Sequence, residues 1–107
     1  KYTKNIILHI GDAREIIPTL NFTFDLVYID GNKKEYIEYF NLVINKVKSG
    51  GFIIADNVVW NGKVIDENEQ DEFTNTIREF NEMIHNNKEL EKVILPIRDG
   101  LSLIRKK

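Results

Sequence analysis

The chain has 107 residues, of which 42% are hydrophobic and 30% are charged, and its formal net charge is −2. This length suits one small globular domain, and the composition is too apolar for a disordered chain. The sequence contains no cysteine, which excludes disulfides, zinc–thiolate sites and thiol catalysis. Its mild acidity argues against broad, non-specific nucleic-acid binding, and its apolar runs are too short for a membrane span. A cytoplasmic location fits this composition.

Short apolar runs in the sequence predict buried β-strands. We expect strands at 6–10, 24–30, 52–55, 92–97 and 101–105. The second run is almost continuously apolar, which indicates burial on both faces, as in a parallel sheet. Asp99 and Gly100 separate the last two runs and predict a hairpin turn, so these two strands must be antiparallel.

Three helices are predicted between these strands. Asp12 is followed three residues later by Glu15, a capping-box pattern that indicates the start of a short helix. Apolar residues at helical spacing predict two further helices, one at 33–48 that is stopped by residues 49–51, and one at 70–87. The order β-α-β-α-β-α-β-β predicts an α/β fold whose sheet is mostly parallel and ends in an antiparallel hairpin.

Polar side chains stand at the carboxyl ends of the second and third predicted strands. Asp30 ends the second strand, and Asp56 and Asn57 follow the third. Open parallel sheets bind ligands at this edge, and if the two strands are neighbours the three side chains converge there. Two carboxylates and an amide oxygen suit a hard cation such as Mg²⁺. Lys33 is near enough to Asp30 to accept a proton from a substrate hydroxyl whose pKa the metal lowers.

Several candidate residues also have a simpler structural interpretation, which is harder to apply to Asp56 and Asn57 because no clear helix follows them directly. Asp12, Asp30 and Asn32 could serve only to cap a helix or to form a turn. Lys33 could be an ordinary solvated lysine. Trp60, in the loop after Asp56 and Asn57, could cover a flat substrate or could pack against the protein. The metal hypothesis therefore depends on the whole set of residues and not on any one of them.

Two longer segments carry a family pattern. Residues 24–33 read FDLVYIDGNK, and residues 50–64 read GGFIIADNVVWNGKV. They resemble the segments FDxxFIDxxK and GGxxxxDNxLWxGxV of metal-dependent O-methyltransferases that use S-adenosylmethionine. These are the caffeoyl-CoA and catechol type, which includes bacterial enzymes that methylate tRNA hydroxyuridine. Shorter matches follow the family's order over nearly the whole chain, at 11–13, 78–81, 95–97 and 99–101.

The resemblance implies a reaction and the residues that carry it. Asp30, Asp56 and Asn57 would bind Mg²⁺ or another divalent cation. Lys33 would act as, or assist, the base on the acceptor hydroxyl. Methyl transfer would run in line from S-adenosylmethionine to the metal-bound hydroxyl of a small phenol, of a catechol-like molecule or of tRNA hydroxyuridine.

The resemblance also implies contacts for the cofactor and the acceptor. Ala13, together with Asp12, would lie against the adenine of S-adenosylmethionine. Asn32 occupies the position at which many family members carry an Asp that contacts the cofactor. Trp60 and Asn61 would border the acceptor.

The motifs match only part of the family's domain. Residues 1–107 would be the C-terminal portion of a single class I, Rossmann-like methyltransferase domain, with the N-terminal strands and their glycine-rich cofactor loop missing. We therefore expect the isolated chain to be inactive and to bind the cofactor poorly, and we expect the full-length enzyme to be a homodimer that does not bind membranes.

Two other functions are compatible with the same residues. The chain could be a non-catalytic α/β module that binds a divalent ion or a partner, with the acidic residues in a structural role. It could also be a receiver-like or phosphatase-like domain. The Asp-Asn pair followed by a Trp does not supply the phosphorylatable Asp, Thr and Lys that this last class needs.

Overall fold

A computed structural model describes residues 2–107 of the chain. Its four-stranded sheet has the order β1-β2-β4-β3. The strands are β1 (Phe24–Ile29), β2 (Val47–Asp56), β3 (Leu90–Leu95) and β4 (Leu101–Lys106). β1 and β2 are parallel, whereas β4 is antiparallel to both of its neighbours. The α/β class and the C-terminal hairpin are confirmed, and the described sheet is mixed.

Three α-helices accompany the sheet: α1 (Ala13–Ile16), α2 (Tyr36–Val43) and α3 (Glu72–Asn86). Short 3₁₀ turns precede or follow the first two helices, at Ile17–Thr19, Lys33–Glu35 and Ile44–Lys46. No helix within residues 2–107 combines the length and the apolar character that a bilayer crossing requires.

The segment at 6–10 is not a strand of the sheet, so this prediction is wrong. Ile6 has extended backbone angles, φ −120° and ψ 124°. The side chains of the segment are nevertheless exposed, and Ile10 is 90% exposed. An apolar, extended segment becomes a buried strand only where a neighbouring strand shares its hydrogen bonds. No strand among the described residues pairs with this one.

The second helical region is shorter than predicted, and the strand after it is longer. The last 3₁₀ turn ends at Lys46 and β2 begins at Val47, so the glycines expected to stop the helix lie inside the strand. A Cβ on Gly51 would lie 2.7 Å from Cγ1 of Val47 and 2.9 Å from the backbone oxygen of Lys48. Glycine at this position therefore permits a close approach within the strand, where the pairing with β1 also shifts register.

The core lies between one face of the sheet and the helices α2 and α3. Phe80 of α3 is fully buried and packs edge-on against Tyr36 at 5.5 Å and against Phe40 at 6.2 Å between ring centroids. Such aromatic pairs contribute about 0.5–1.5 kcal/mol each beyond their burial. These contacts fix the ring of Tyr36 below the strand ends, where its hydroxyl enters the candidate site.

The opposite face of the sheet is open in the described residues. Leu26 and Tyr28 of β1 are 56% and 55% exposed, and Phe52 of β2 is 37% exposed. The prediction that the strand at 24–30 is buried on both faces is therefore wrong. An unbroken apolar run shows that a strand is suited to burial on both faces. In the described residues the helices pack against only one face of the sheet, so the other face stays exposed.

Candidate metal and cofactor site

The carboxyl ends of β1 and β2 meet at one edge of the sheet. Parallel pairing places Ile29 opposite Ala55, so Asp30 and Asp56 leave the two strands side by side. The expectation that these strands are neighbours is thereby confirmed. Asn57 has a φ of 62°, in the left-handed region that Asn adopts more readily than most residues. This conformation redirects the backbone immediately after β2.

Lys33 and Tyr36 connect the two strand ends. The Nζ of Lys33 donates hydrogen bonds to Oδ1 of Asp30 at 3.0 Å and to the hydroxyl of Tyr36 at 2.7 Å. The hydroxyl of Tyr36 in turn donates to the backbone oxygen of Asp56 at 2.7 Å. The side chain of Lys33 is only 11% exposed. An unbroken series of hydrogen bonds therefore runs from the carboxylate of Asp30 to the end of β2.

The raised pKa of Tyr36 preserves its hydrogen bond to the backbone oxygen of Asp56. Burial raises the pKa of Tyr36 well above its ordinary value, and the nearby carboxylates of Asp30 and Asp56 raise it further. The phenol therefore stays protonated at neutral pH and remains a hydrogen-bond donor to β2.

Asp56 is 8% exposed, and each oxygen of its carboxylate accepts a hydrogen bond. Oδ2 accepts from the hydroxyl of Tyr28 at 2.5 Å, and Oδ1 accepts from the backbone N–H of Asn57 at 2.8 Å. The hydrogen bond to Asp56 raises the pKa of Tyr28, so this phenol is also neutral at physiological pH. Both donors offset the cost of burying the carboxylate.

Asp99, in the turn between β3 and β4, holds the loop that follows β2. Its Oδ2 accepts a hydrogen bond from Nδ2 of Asn57 at 3.2 Å, and its Oδ1 accepts from the backbone N–H of Asn61 at 2.5 Å. Because the amide nitrogen of Asn57 is used in this way, its amide oxygen is directed away from Asp99 and can serve as a ligand.

Asp12 and Asn32 cap helical turns, as their simpler interpretation predicted. Oδ1 of Asp12 accepts from the backbone N–H of Arg14 at 2.9 Å. The side-chain hydrogen bond from Arg14 lowers the pKa of Asp12. Oδ1 of Asn32 accepts from the backbone N–H of Lys34 at 3.1 Å. The capping interpretation is confirmed for both residues, and their contact with a cofactor stays a prediction.

Ala13 borders a groove of about 190 Å³ that runs along β1. The groove is lined mainly by apolar side chains and also by Asp30, Gly31 and Tyr39. The structure therefore places one predicted cofactor residue and one predicted metal ligand on the same groove.

Trp60 and Asn61 lie in the loop after β2 that also carries Asn57. Both have left-handed backbone angles, with φ values of 54° and 55°. Trp60 is half-buried and Asn61 is exposed. Their contact with an acceptor stays a prediction.

The sequence of the chain matches a known protein family. The model of the O-methyltransferase family matches residues 1–107. The catechol O-methyltransferase of Niastella koreensis is 34% identical over 110 residues, which is 94% of this chain and 50% of that protein. The chain belongs to the O-methyltransferase family. The resemblance inferred from its motifs is confirmed, and the alternative of a non-catalytic module is not favoured.

The solved structure of an O-methyltransferase shares the fold. TomG from Streptomyces achromogenes, which is involved in tomaymycin synthesis, was crystallised with S-adenosylmethionine. It superposes with a TM-score of 0.82 and 29% sequence identity, over 92% of this chain and 48% of TomG. The described fold thus matches the C-terminal part of a Rossmann-like methyltransferase, and the chain spans about half the length of these relatives.

Three residues of the candidate site were not identified from the sequence: Tyr28, Tyr36 and Asp99. The spacing of Tyr36 predicts only a core position, yet a buried phenol must find a hydrogen-bond partner, and that requirement was a usable signal. Tyr28 appears only as one more residue of a strand. Asp99 appears only as a turn residue, because the sequence does not show which loop the turn contacts.

The side chains at the two strand ends offer oxygen atoms to a metal ion. Within residues 2–107, no group of three or more His, Cys, Asp or Glu side chains is suited to hold a metal ion. The set Asp30, Asp56 and Asn57 contains two carboxylates and one amide, so it is not a group of this type, because Asn57 is not a His, Cys, Asp or Glu. All three donate oxygen, which fits Mg²⁺, an ion that is commonly held by one or two carboxylates and keeps several water ligands. The residues present therefore fit a hard divalent cation.

Proposed function

We propose that the protein transfers a methyl group from S-adenosylmethionine to an acceptor hydroxyl, and that residues 1–107 form the C-terminal portion of a single methyltransferase domain. The observation that carries this proposal is the grouping of Asp30, Asp56 and Lys33 at two adjoining strand ends. Membership of the O-methyltransferase family supports the reaction type. TomG, which is similar in fold, binds the same methyl donor.

Asp30, Asp56 and Asn57 would hold the divalent cation, with Mg²⁺ as the expected ion. When bound there, a cation would lower the pKa of the acceptor hydroxyl and would stabilise the negative charge that develops on its oxygen. The carboxylate of Asp56 and the amide of Asn57 are already held by hydrogen bonds. Because these hydrogen bonds already restrict the two side chains, they lose less conformational entropy when a ligand binds.

Lys33 is the group placed to handle the acceptor proton. When its amine is neutral, it takes the proton of the hydroxyl. When it is an ammonium, paired with Asp30, its charge stabilises the developing oxyanion. The contact with Tyr36 keeps the long side chain in one conformation in either case. We name Lys33 as the catalytic residue on these grounds.

The groove beside β1 would receive the adenine of S-adenosylmethionine. Its apolar walls suit the faces of a purine ring, and Ala13 leaves room for the ring to approach the backbone. Asp12 precedes Ala13, and Asn32 follows Gly31, so both residues adjoin the lining of the groove. We assign all three to cofactor binding.

The proposed acceptor is a small catechol-like phenol, bordered by Trp60 and Asn61. The 34% identity with a catechol O-methyltransferase supports this choice over tRNA hydroxyuridine. The chain has a net charge of −2, which gives no general attraction for the phosphates of RNA. We further propose that the full-length enzyme acts as a homodimer.

Methyl transfer should be tested with the complete product of the gene that encodes these 107 residues. It would be incubated with Mg²⁺ and S-adenosylmethionine labelled in its methyl group, with either a catechol or an unmodified tRNA. We expect label in the catechol, and loss of transfer on chelation of the metal and in Asp56→Ala, with the circular dichroism spectrum unchanged. Asp25→Ala is the control, because Asp25 is an exposed residue that pairs with Lys48.

Two results would contradict the proposal. One is the absence of transfer to any hydroxyl acceptor, and the other is transfer that neither the chelator nor Asp56→Ala reduces. Label in tRNA alone would overturn the choice of acceptor but would keep the reaction. The 107-residue chain by itself should bind S-adenosylmethionine only weakly in calorimetry, because a single groove of about 190 Å³ is small for the whole cofactor.

A further inference from the structure

Tyr28 reaches the carboxylate of Asp56 from the neighbouring strand. Its partner across the β1–β2 pair is Ile54, two residues before Asp56 and on the same face of the sheet. A diagonal neighbour at this spacing lies within reach of an aromatic side chain. The hydroxyl of Tyr28 donates to Oδ2 of Asp56 at 2.5 Å.

This contact differs from the others that hold Asp56. The hydroxyl of Tyr36 bonds the backbone oxygen of Asp56 and therefore fixes the main chain. The N–H of Asn57 bonds Oδ1, but it comes from the adjacent residue and moves with it. Among residues 2–107, Tyr28 is the only residue of another strand whose side chain donates a hydrogen bond to the carboxylate itself. It is therefore the contact that limits rotation of the carboxylate relative to the sheet.

The chemistry of the donor also matters. A Lys or Arg at this position would orient the carboxylate but would offset its negative charge. A phenol is neutral, so it orients Asp56 and leaves the full charge available to a cation. Hydrogen-bonding partners of this kind, one step removed from a metal, typically change metal affinity by about 10–100-fold.

We propose that Tyr28 is a positioning residue for the cation site, and that its hydroxyl holds the carboxylate of Asp56 in the orientation that binds the ion. The proposal rests on the proposed function, in which Asp56 is a ligand. The role belongs to the hydroxyl alone. Phenylalanine at position 28 would keep the ring and lose the hydrogen bond.

The test is a titration of the protein with Mn²⁺, followed by electron paramagnetic resonance, for the wild type and for Tyr28→Phe. We expect Tyr28→Phe to weaken Mn²⁺ binding by about 10-fold or more. The control is Tyr2→Phe, which removes a phenolic hydroxyl from a tyrosine that is 64% exposed and lies outside the sheet. The control should bind Mn²⁺ as the wild type does. Tyr28 is 55% exposed, so we expect the variant to fold, and near-ultraviolet circular dichroism checks this.

An Asp56→Ala variant separates this inference from the proposed function. If Asp56→Ala abolishes Mn²⁺ binding and Tyr28→Phe binds Mn²⁺ as tightly as the wild type, the positioning role of Tyr28 is wrong and the cation site stands. If Asp56→Ala binds Mn²⁺ as tightly as the wild type, the cation site itself is wrong, and the role of Tyr28 is wrong with it.

Discussion

The carboxylate of Asp99 accepts a hydrogen bond of 3.2 Å from the side-chain amide of Asn57, although the two residues are 42 positions apart in the chain. The backbone strengthens the connection, because the N–H of Val59 donates to the backbone oxygen of Asp99 at 3.0 Å. A Cβ on Gly100 would overlap Val59, so glycine next to Asp99 allows the hairpin turn and the loop to touch. The orientation of a proposed metal ligand thus depends on the far end of the chain.

Replacement of Asp99 by alanine should therefore weaken the cation site. The variant Asp99→Ala frees the amide of Asn57 and the backbone of Asn61, so we expect Mn²⁺ affinity to fall by about 10-fold or more. Electron paramagnetic resonance measures this directly. Asp25→Ala removes an exposed carboxylate that pairs with Lys48, and it should leave the affinity unchanged. Equal affinities for the wild type and Asp99→Ala would show that Asp99 does not orient a ligand.

The sequence predicted the position of those site residues that directly follow a predicted strand. Asp30 and Asp56 could be placed at one edge because each ends an apolar run, and consecutive runs separated by a helix pair in parallel. The contact between Asp99 and Asn57 could not be predicted, because it depends on how a hairpin turn packs against a distant loop. The hydrogen bonds of the Tyr28 and Tyr36 hydroxyls could not be predicted either, because a hydrophobic pattern counts tyrosine only as an apolar residue.

The errors in the predicted fold have a common physical cause. The segment at 6–10 and the strand β1 are both apolar enough to be buried, but burial also requires a partner that the pattern of one segment does not reveal. The sequence predicts a helix that ends at residue 48, because Gly50 and Gly51 are common helix terminators, whereas the helical region ends at Lys46. Here they lie inside β2, at a close approach within that strand. Only the tertiary contacts decide between these two uses of glycine.

Lys33 should be required for methyl transfer but not for metal binding. In the complete gene product, Lys33→Met removes the group that handles the acceptor proton, so we expect the rate of transfer to fall by about 10²–10⁴-fold. Mn²⁺ affinity should not fall, because Asp30 is released from its ion pair and stays available to the cation. Lys34→Met is the control, since Lys34 pairs with the exposed residue Glu72. A transfer rate in Lys33→Met equal to that of the wild type would exclude a catalytic role for Lys33.

The hydroxyl of Tyr36 should contribute to folding stability. The variant Tyr36→Phe keeps the ring between the helices but leaves the backbone oxygen of Asp56 and the Nζ of Lys33 without this partner. An unsatisfied buried polar group costs about 1–3 kcal/mol, so we expect the free energy of unfolding to fall by that amount. Urea denaturation followed by circular dichroism measures the change. Tyr39→Phe, whose hydroxyl is only partly buried, should lose less stability than Tyr36→Phe. Equal losses in the two variants would contradict the assigned role.

Alkaline titration should reveal the environment of Tyr39. Burial raises the pKa of Tyr39 to about 12, and its hydrogen bond to Glu35 adds to this effect. In an unfolded chain a tyrosine ionises near pH 10. Between these two values the folded state binds more protons than the unfolded state, so the stability that Tyr39 contributes is complete below about pH 10 and is lost as the pH rises toward 12.

The tyrosinate absorbance of the wild type should therefore contain a step that Tyr39→Phe lacks. The difference between the two titrations isolates Tyr39 from Tyr28 and Tyr36, whose pKa values are also raised. We expect its midpoint near pH 12, provided that circular dichroism shows folded protein at each point. A difference step centred near pH 10 in folded protein would mean that the phenol of Tyr39 is solvated and does not bond Glu35.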